Sequence, residues 1–132
     1  MKPSRILANL VGFMLFVQVV LGGSATLLGL TVDYHLFWGL VTFIVLIAAT
    51  VYSARELGTG SALFKVGIVA IVDYAVQAGL GFTALFTSND VLVVVHLTNA
   101  FVLAVLVTYL ISFADSADKN SALHQAIARA AR

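Results

Sequence analysis

Two histidines, His35 and His96, are the residues of this chain with the clearest capacity for chemistry. Each lies at or near the start of a long apolar run, and each follows the pattern Gln-x-x-Leu-Gly, which begins at Gln18 in the first half and at Gln77 in the second. An imidazole ring binds metal ions through a ring nitrogen and exchanges protons near neutral pH. Two imidazoles at equivalent positions of an internal repeat could both contact one ligand bound between them.

The composition of the chain indicates an integral membrane protein. Of its 132 residues, 61% are hydrophobic and 10% are charged, whereas a soluble domain has about 25% charged residues. A chain of this length could not bury so much apolar surface in its own core. The absence of cysteine excludes disulfides, thiolate metal sites and covalent c-type heme attachment. A net charge of +1 without a basic run gives no reason to expect nucleic acid as a partner.

Four apolar runs are long enough, or nearly so, to cross the roughly 30 Å hydrocarbon core of a bilayer. They extend over residues 6–30, 35–52, 63–86 and 91–113. Because backbone groups in lipid must hydrogen-bond within their own segment, we expect these runs to be helices. The connections are short, so sequential helices should be antiparallel neighbours. The predicted fold is an all-α, integral membrane four-helix up-down bundle over residues 1–115, followed by a cytoplasmic tail over 116–132.

The distribution of basic residues predicts the orientation of this bundle. All seven lie near the termini or beside the middle loop: Lys2, Arg5, Arg55, Lys65, Lys119, Arg129 and Arg132. The two other loops contain Asp33 and Asp90 and no lysine or arginine. By the positive-inside rule, we expect a protein of the cell membrane with both termini and the middle loop in the cytoplasm. Both histidines then lie in the outer half of the bilayer.

The tail allows two interpretations. Asn120 or Ser121 could cap a short separate helix whose basic end, with Arg132, meets lipid phosphates. Alternatively, the tail is solvated and only partly ordered. His124 lies in this segment, too far from the other two histidines to share a site with them, and we assign it no role.

The two halves of the chain look duplicated. With Gly22 aligned to Gly81, the two Gln-x-x-Leu-Gly motifs coincide, and the histidine follows the glycine after 13 residues in the first half and 15 in the second. The match resumes after the histidines, where His-Leu-x-x-Gly ends at Gly39 and His-Leu-x-x-Ala ends at Ala100. The alignment predicts an internal two-helix repeat with the histidines at equivalent positions.

Equivalent histidines on the second and fourth helices face each other across the diagonal of such a bundle. They could approach one heme iron from opposite sides, because heme iron accepts histidine nitrogen as an axial ligand. Gly39 and Ala100, four residues after the histidines, are small and lie on the ligand's own helix face, which leaves room for a macrocycle. The first and third helices contribute four further candidate cofactor-binding residues. Two carry side-chain amides and two are small enough to permit close packing: Gln18, Gln77, Gly22 and Gly81.

Other roles for these residues stay open at this stage. The histidines could be structural, forming hydrogen bonds between helices, or they could bind another metal ion or relay protons. Asp73 is the one carboxylate deep in a span, and it shares a helix face with Gln77 and Gly81. It could be structural, handle protons or contact a partner subunit.

The motif Gln-x-x-Leu-Gly, followed by a span that opens with His-x-x-x-small, resembles one half of the heme A synthase family. The resemblance covers residues 18–113. It implies a four-helix half in which His35 and His96 are the axial heme ligands. Two departures concern catalysis: no glutamate closely precedes either histidine, where Asp33 and Val95 are the nearest counterparts, and the outer-loop cysteine pair is missing.

Three functions follow from these patterns. The first is a membrane heme b protein, with one heme per chain, that transfers electrons as a subunit of a respiratory complex. Its partners would be membrane lipid, other membrane subunits or further copies of the chain, and quinone. The second, implied by the resemblance, is a compact heme A synthase-like enzyme that oxidises heme O and so handles heme O and heme A. The third is a cofactor-free membrane interaction subunit in which the histidines only pack the bundle.

Overall fold

A computed structural model describes residues 2–29 and 31–131, and four α-helices account for nearly all of them. The helices are α1 (Pro3–Leu28), α2 (Val32–Leu57), α3 (Ala62–Thr87) and α4 (Asp90–Ala130). Each is long and apolar enough to cross a membrane, and the described residues contain no strand. The predicted all-α membrane bundle is confirmed. Leu30, expected to end the first span, and Arg132, expected near lipid phosphates, lie outside the described residues.

The four helices pack as a square. α1 contacts α2 and α4, and α3 contacts the same two helices, whereas the diagonal pairs have no Cα atoms within 8 Å of each other. Since the connections between helices are short, each helix runs antiparallel to both of its neighbours. α2 and α4, which carry His35 and His96, therefore run parallel to each other on opposite corners.

Polar caps explain where α3 and α4 begin. The Ser61 hydroxyl accepts a hydrogen bond from the Phe64 N–H at the start of α3. The Asn89 side-chain oxygen accepts from the N–H groups of Val91 and Leu92 at the start of α4. These contacts satisfy N–H groups that have no acceptor within their own helix, so the chain can start a new helix directly after a tight connection.

The four helices share one hydrophobic core. Val11, Leu46 and Leu103 are at most 1% exposed and form part of one core contributed by all four helices. A Cβ atom at Gly67 would lie 2.5 Å from Thr50 Oγ1, so α2 and α3 approach closely only because this residue is glycine.

The outer surface of the bundle is apolar. Five phenylalanines distributed over the four helices are each at least 61% exposed: Phe13, Phe16, Phe37, Phe86 and Phe101. A soluble monomer rarely shows such extensive apolar surface. This surface suits lipid chains, which agrees with the composition of the chain.

Polar contacts join three helices at one end of the bundle. Arg5 on α1 forms ion pairs with Asp115 and, at 2.9 Å, with Asp118, both on α4. Ser4 donates hydrogen bonds from its N–H and its hydroxyl to the Glu56 carboxylate at the end of α2. The histidines lie near the starts of α2 and α4, at the opposite end.

The tail continues α4, and most of its side chains are exposed. α4 continues without a break to Ala130 and contains 41 residues, so neither Asn120 nor Ser121 caps a separate helix. Residues 114–130 contain no glycine or proline, and the Ser121 hydroxyl donates to the Ala117 carbonyl within the helix. At about 1.5 Å per residue, α4 is roughly twice as long as a bilayer core is thick. Its last turns therefore extend beyond the apolar segment.

Candidate functional site

A cavity of about 770 Å³ lies between the helices at the histidine end of the bundle. It is lined by all eight residues that were predicted to surround a cofactor: His35, His96, Gly39, Ala100, Gln18, Gln77, Gly22 and Gly81. The rest of the lining is mostly apolar and includes Leu15 and Leu103 from the buried core. The volume falls within the range of about 300–1,000 Å³ that small-molecule and cofactor sites occupy.

The two histidines meet across this cavity. Their ring centroids are 6.3 Å apart, and the ring planes lie at 76° to each other. The topology explains this proximity, because α2 and α4 run parallel on the diagonal and the repeat sets His35 and His96 at the same level. The side chains that the sequence alignment paired are therefore brought together.

A backbone carbonyl of the neighbouring helix orients each imidazole. His35 Nδ1 lies 3.0 Å from the Gln18 carbonyl oxygen, and His96 Nδ1 lies 3.0 Å from the Gln77 carbonyl oxygen. Because a carbonyl oxygen only accepts hydrogen bonds, Nδ1 carries a proton in both rings, and in the neutral form of each ring the lone pair is then on Nε2. A neutral imidazole with its lone pair on Nε2 is a form that binds metal ions.

The glutamine side chains contact the other ring nitrogen. The Gln18 amide nitrogen lies 3.2 Å from His35 Nε2, and the Gln77 amide nitrogen lies 3.4 Å from His96 Nε2, so each amide donates to the lone pair. The Oε1 atoms of both glutamines are buried and have no hydrogen-bond partner within residues 2–29 and 31–131. Each half thus places an amide group on the nitrogen that a metal ion would take.

The motif glycines lie against the imidazole rings. A Cβ atom at Gly22 would lie 2.8 Å from His35 Cε1, and one at Gly81 would lie 2.9 Å from His96 Cε1. Both distances are far shorter than the roughly 3.5–4.0 Å at which carbon atoms pack. The rings can therefore occupy these positions only because both residues are glycine. A Cβ atom at the adjacent Gly23 would meet nothing within 4 Å.

Gly39 makes room for a side chain of the protein itself. A Cβ atom at this position would lie 2.8 Å from the Gln18 amide nitrogen. The expected space beside Gly39 is therefore taken up in part by the Gln18 amide. Ala100, the equivalent residue of the second half, also lines the cavity. Gly39 therefore accommodates the Gln18 amide and also lines the cavity.

Two titratable residues that stand out in the sequence lie outside the cavity. Asp73 is one helical turn before Gln77 on α3 and does not line the cavity. His124 is exposed on the extension of α4, at the other end of the molecule. The structure thus separates both residues from the two-histidine site.

Tyr74 is a site residue that the sequence analysis missed. Its hydroxyl donates to the Gly39 carbonyl at 2.9 Å, and its ring stacks on Phe43 with a centroid distance of 5.2 Å. These contacts join the two halves at the inner end of the cavity. The equivalent residue of the first half is Leu15, so the repeat carried no signal for this role.

The described residues contain no group of three or more histidine, cysteine, aspartate or glutamate side chains that could hold a metal ion. The cavity therefore offers two histidine ligands, fewer than the three or four protein ligands of a typical zinc site. Comparisons with protein-family models, with curated proteins and with solved structures found no match for this chain.

Proposed function

We propose that this chain is a membrane heme b protein that transfers electrons, with one heme held between His35 and His96. The observation that supports this proposal is the pair of imidazoles 6.3 Å apart beside a cavity of about 770 Å³. Two imidazoles that hold one metal ion from opposite sides, each through a nitrogen about 2 Å from the metal, have ring centres about 6 Å apart. The observed separation fits this arrangement.

The residues around the cavity fit such a group. The lining is mostly apolar, which suits a macrocycle. Both histidines have Nδ1–H bonded to a backbone carbonyl, which is an outer contact that ligating histidines commonly make. If Nε2 held iron, the amides of Gln18 and Gln77 would give up their contacts with the ring nitrogens, and the Gln77 amide would keep its hydrogen bond to the His96 carbonyl.

Bound heme supplies one-electron chemistry at its iron. With His35 and His96 both as ligands, no coordination position remains for oxygen or a substrate. This favours electron transfer over the oxidation of heme O that the resemblance to heme A synthases implies. The two backbone carbonyls hold the imidazoles in fixed orientations, and the apolar lining limits access of water to the site.

The side of the membrane on which the site lies is inferred from its distance from the charged end of the bundle. The cavity lies at the end of the bundle opposite the Arg5 ion pairs, which mark the cytoplasmic side by the positive-inside rule. The heme would then lie in the outer half of the cell membrane. Its electron partner would be a quinone or another membrane subunit, with lipid, other subunits or further copies of the chain around the bundle.

A second candidate function is a cofactor-free membrane interaction subunit. One observation favours it: each histidine Nε2 accepts a hydrogen bond from a glutamine amide. Both imidazoles therefore have their hydrogen-bonding capacity satisfied as links between helices.

Heme titration of the purified chain in detergent distinguishes these two functions. The heme b proposal expects saturation at one heme per chain, with sharp low-spin bands in the reduced-minus-oxidised visible spectrum and a b-type pyridine hemochrome. A folded, helical chain that forms no low-spin heme complex would contradict it and favour the cofactor-free subunit.

A further inference from the structure

The second half of the bundle contains a buried polar pair that has no counterpart in the first half. Asp73 Oδ2 on α3 and Asn99 Nδ2 on α4 are buried, and neither has a hydrogen-bond partner in the described part of the chain. The carboxylate oxygen is an acceptor and the amide nitrogen is a donor. Neither residue lines the two-histidine cavity, so the pair is a separate feature.

The repeat relates these two residues to a pair of positions that are in contact in the first half. Asp73 precedes the motif glutamine by the same number of residues as Met14 in the first half, and Asn99 follows the histidine by the same number as Trp38. In the first half these positions touch, because the Trp38 indole N–H donates to the Met14 carbonyl at 2.9 Å. By the repeat, we expect Asn99 on α4 to lie near Asp73 on α3.

From the difference in side-chain size, we expect polar space at this place in the second half. The side chain of Asn99 is much smaller than the indole of Trp38, which fills the equivalent position between α1 and α2. An unpaired polar atom in a membrane interior is unfavourable, and a water molecule with two to four bonds is a common solution where the site is polar and large enough.

We infer that Asp73 and Asn99 bind one buried water molecule between α3 and α4. The water accepts a hydrogen bond from Asn99 Nδ2–H and donates one to Asp73 Oδ2, so both unpaired atoms are satisfied at once. The inference rests on the packing of α3 and α4 and holds whether or not the cavity binds heme.

The proposed water site lies about one helical turn from the polar contacts of His96. Asp73 lies one helical turn from Gln77, whose Oε1 is also unpaired in the described residues and whose amide contacts His96. The first half has Met14 and Trp38 at the equivalent places. The proposed water site therefore lies on the His96 side of the bundle, with no equivalent beside His35.

Water-to-protein NMR on the full chain in detergent micelles tests this inference. We expect a rotating-frame cross-peak between the Asn99 side-chain amide protons and water, with the sign of dipolar transfer from a bound water. The Trp38 indole N–H is the matched internal control and should show no such peak. Asn9, whose side chain is exposed, gives the reference for amide protons in contact with solvent.

An Asp73→Leu variant removes the acceptor and should abolish the Asn99 cross-peak while the Trp38 signal stays unchanged. Persistence of the cross-peak in a folded variant would overturn the inference, because the water would then be held without Asp73. In the unmodified chain, the absence of a bound-water peak at Asn99, or an equal peak at Trp38, would also overturn it. The internal comparison is decisive even if the variant does not fold.

Discussion

The imidazole of His35 donates its Nδ1 proton to the backbone carbonyl of Gln18 at 3.0 Å, and the same contact joins His96 to Gln77. A backbone acceptor cannot be removed by changing the side chain of the residue that carries it. The tautomers of both histidines therefore depend on the course of α1 and α3. What can vary at each ring is the group bound to Nε2.

Replacing either cavity histidine should abolish low-spin heme. With His35→Ala or His96→Ala, one imidazole remains, and the iron should become five-coordinate or bind only weakly. The visible spectrum after reconstitution measures this change. His124→Ala is the matched control, because His124 is exposed on the α4 extension, and it should keep the native spectrum. Retention of that spectrum by either cavity variant would show that the ligand assignment is wrong.

Adding one methyl group at the motif glycine should weaken heme binding. In Gly22→Ala the new Cβ lies 2.8 Å from His35 Cε1, so the ring must shift. Overpacking of this kind costs about 1–3 kcal/mol, which corresponds to a roughly 5- to 150-fold loss of heme affinity.

Gly23→Ala is the control for this comparison, because its Cβ meets nothing within 4 Å. Both substitutions raise helix propensity by a similar amount, so their difference isolates the contact with the ring. Heme titration of the two variants measures it. Equal affinities would mean that the position of His35 does not matter for binding. Gly81→Ala and Gly79→Ala repeat the comparison in the second half.

Removing a glutamine amide separates the two proposed functions. In Gln18→Leu the backbone carbonyl still orients His35, but the amide no longer occupies Nε2. A net hydrogen bond is worth about 0.5–1.5 kcal/mol, so heme affinity should rise by roughly two- to tenfold. A cofactor-free subunit would instead lose thermal stability and gain no affinity for heme. Heme titration and circular dichroism melting of the same variant distinguish these results.

The charged end should show a defined pH dependence. The pKa of Asp118 is held below its ordinary value of 3.8 by the backbone N–H of Lys2, 3.0 Å from the carboxylate, and by Arg5. A carboxyl group with a lowered folded-state pKa stabilises the fold above its ordinary pKa, and this contribution is lost as the pH falls through the lowered value.

Asp118→Asn should therefore lower the melting temperature at neutral pH, and the difference from the unmodified chain should vanish in strong acid. Melting curves at a series of pH values test this expectation. Asp33→Asn, an exposed aspartate at the other end of the bundle, should show little effect throughout. A difference at Asp118 that does not change with pH would argue against the ionic contribution.

The helices of the fold could be predicted because each carries its own signal. Four apolar runs separated by short polar connections allow few arrangements other than antiparallel neighbours. The continuation of α4 through Asn120 and Ser121 was not predicted, since residues that often cap helices are also accommodated inside one. The Ser121 hydroxyl bonds back to the Ala117 carbonyl, and no glycine or proline interrupts the segment.

The site could be predicted where the same side chains recur in both halves of the chain. It could not be predicted where a backbone group makes the contact. The alignment of His35 with His96 predicted their proximity. The carbonyl of Gln18 as the partner of His35 could not be predicted, because every residue has a carbonyl and only the helix geometry selects one. The contact between Gly39 and the Gln18 amide could not be predicted either, since a small residue does not indicate which group fills the space beside it.

The central claim is that one iron is bound by both His35 and His96. Near-infrared magnetic circular dichroism of the heme-loaded ferric protein tests it most directly, because the position of the charge-transfer band depends on the pair of axial ligands. We predict the band of a bis-imidazole heme in the unmodified chain, its loss in His96→Ala and its return when imidazole is added to that variant. A folded, heme-loaded chain with a high-spin spectrum, or with the band of another ligand pair, would contradict the account.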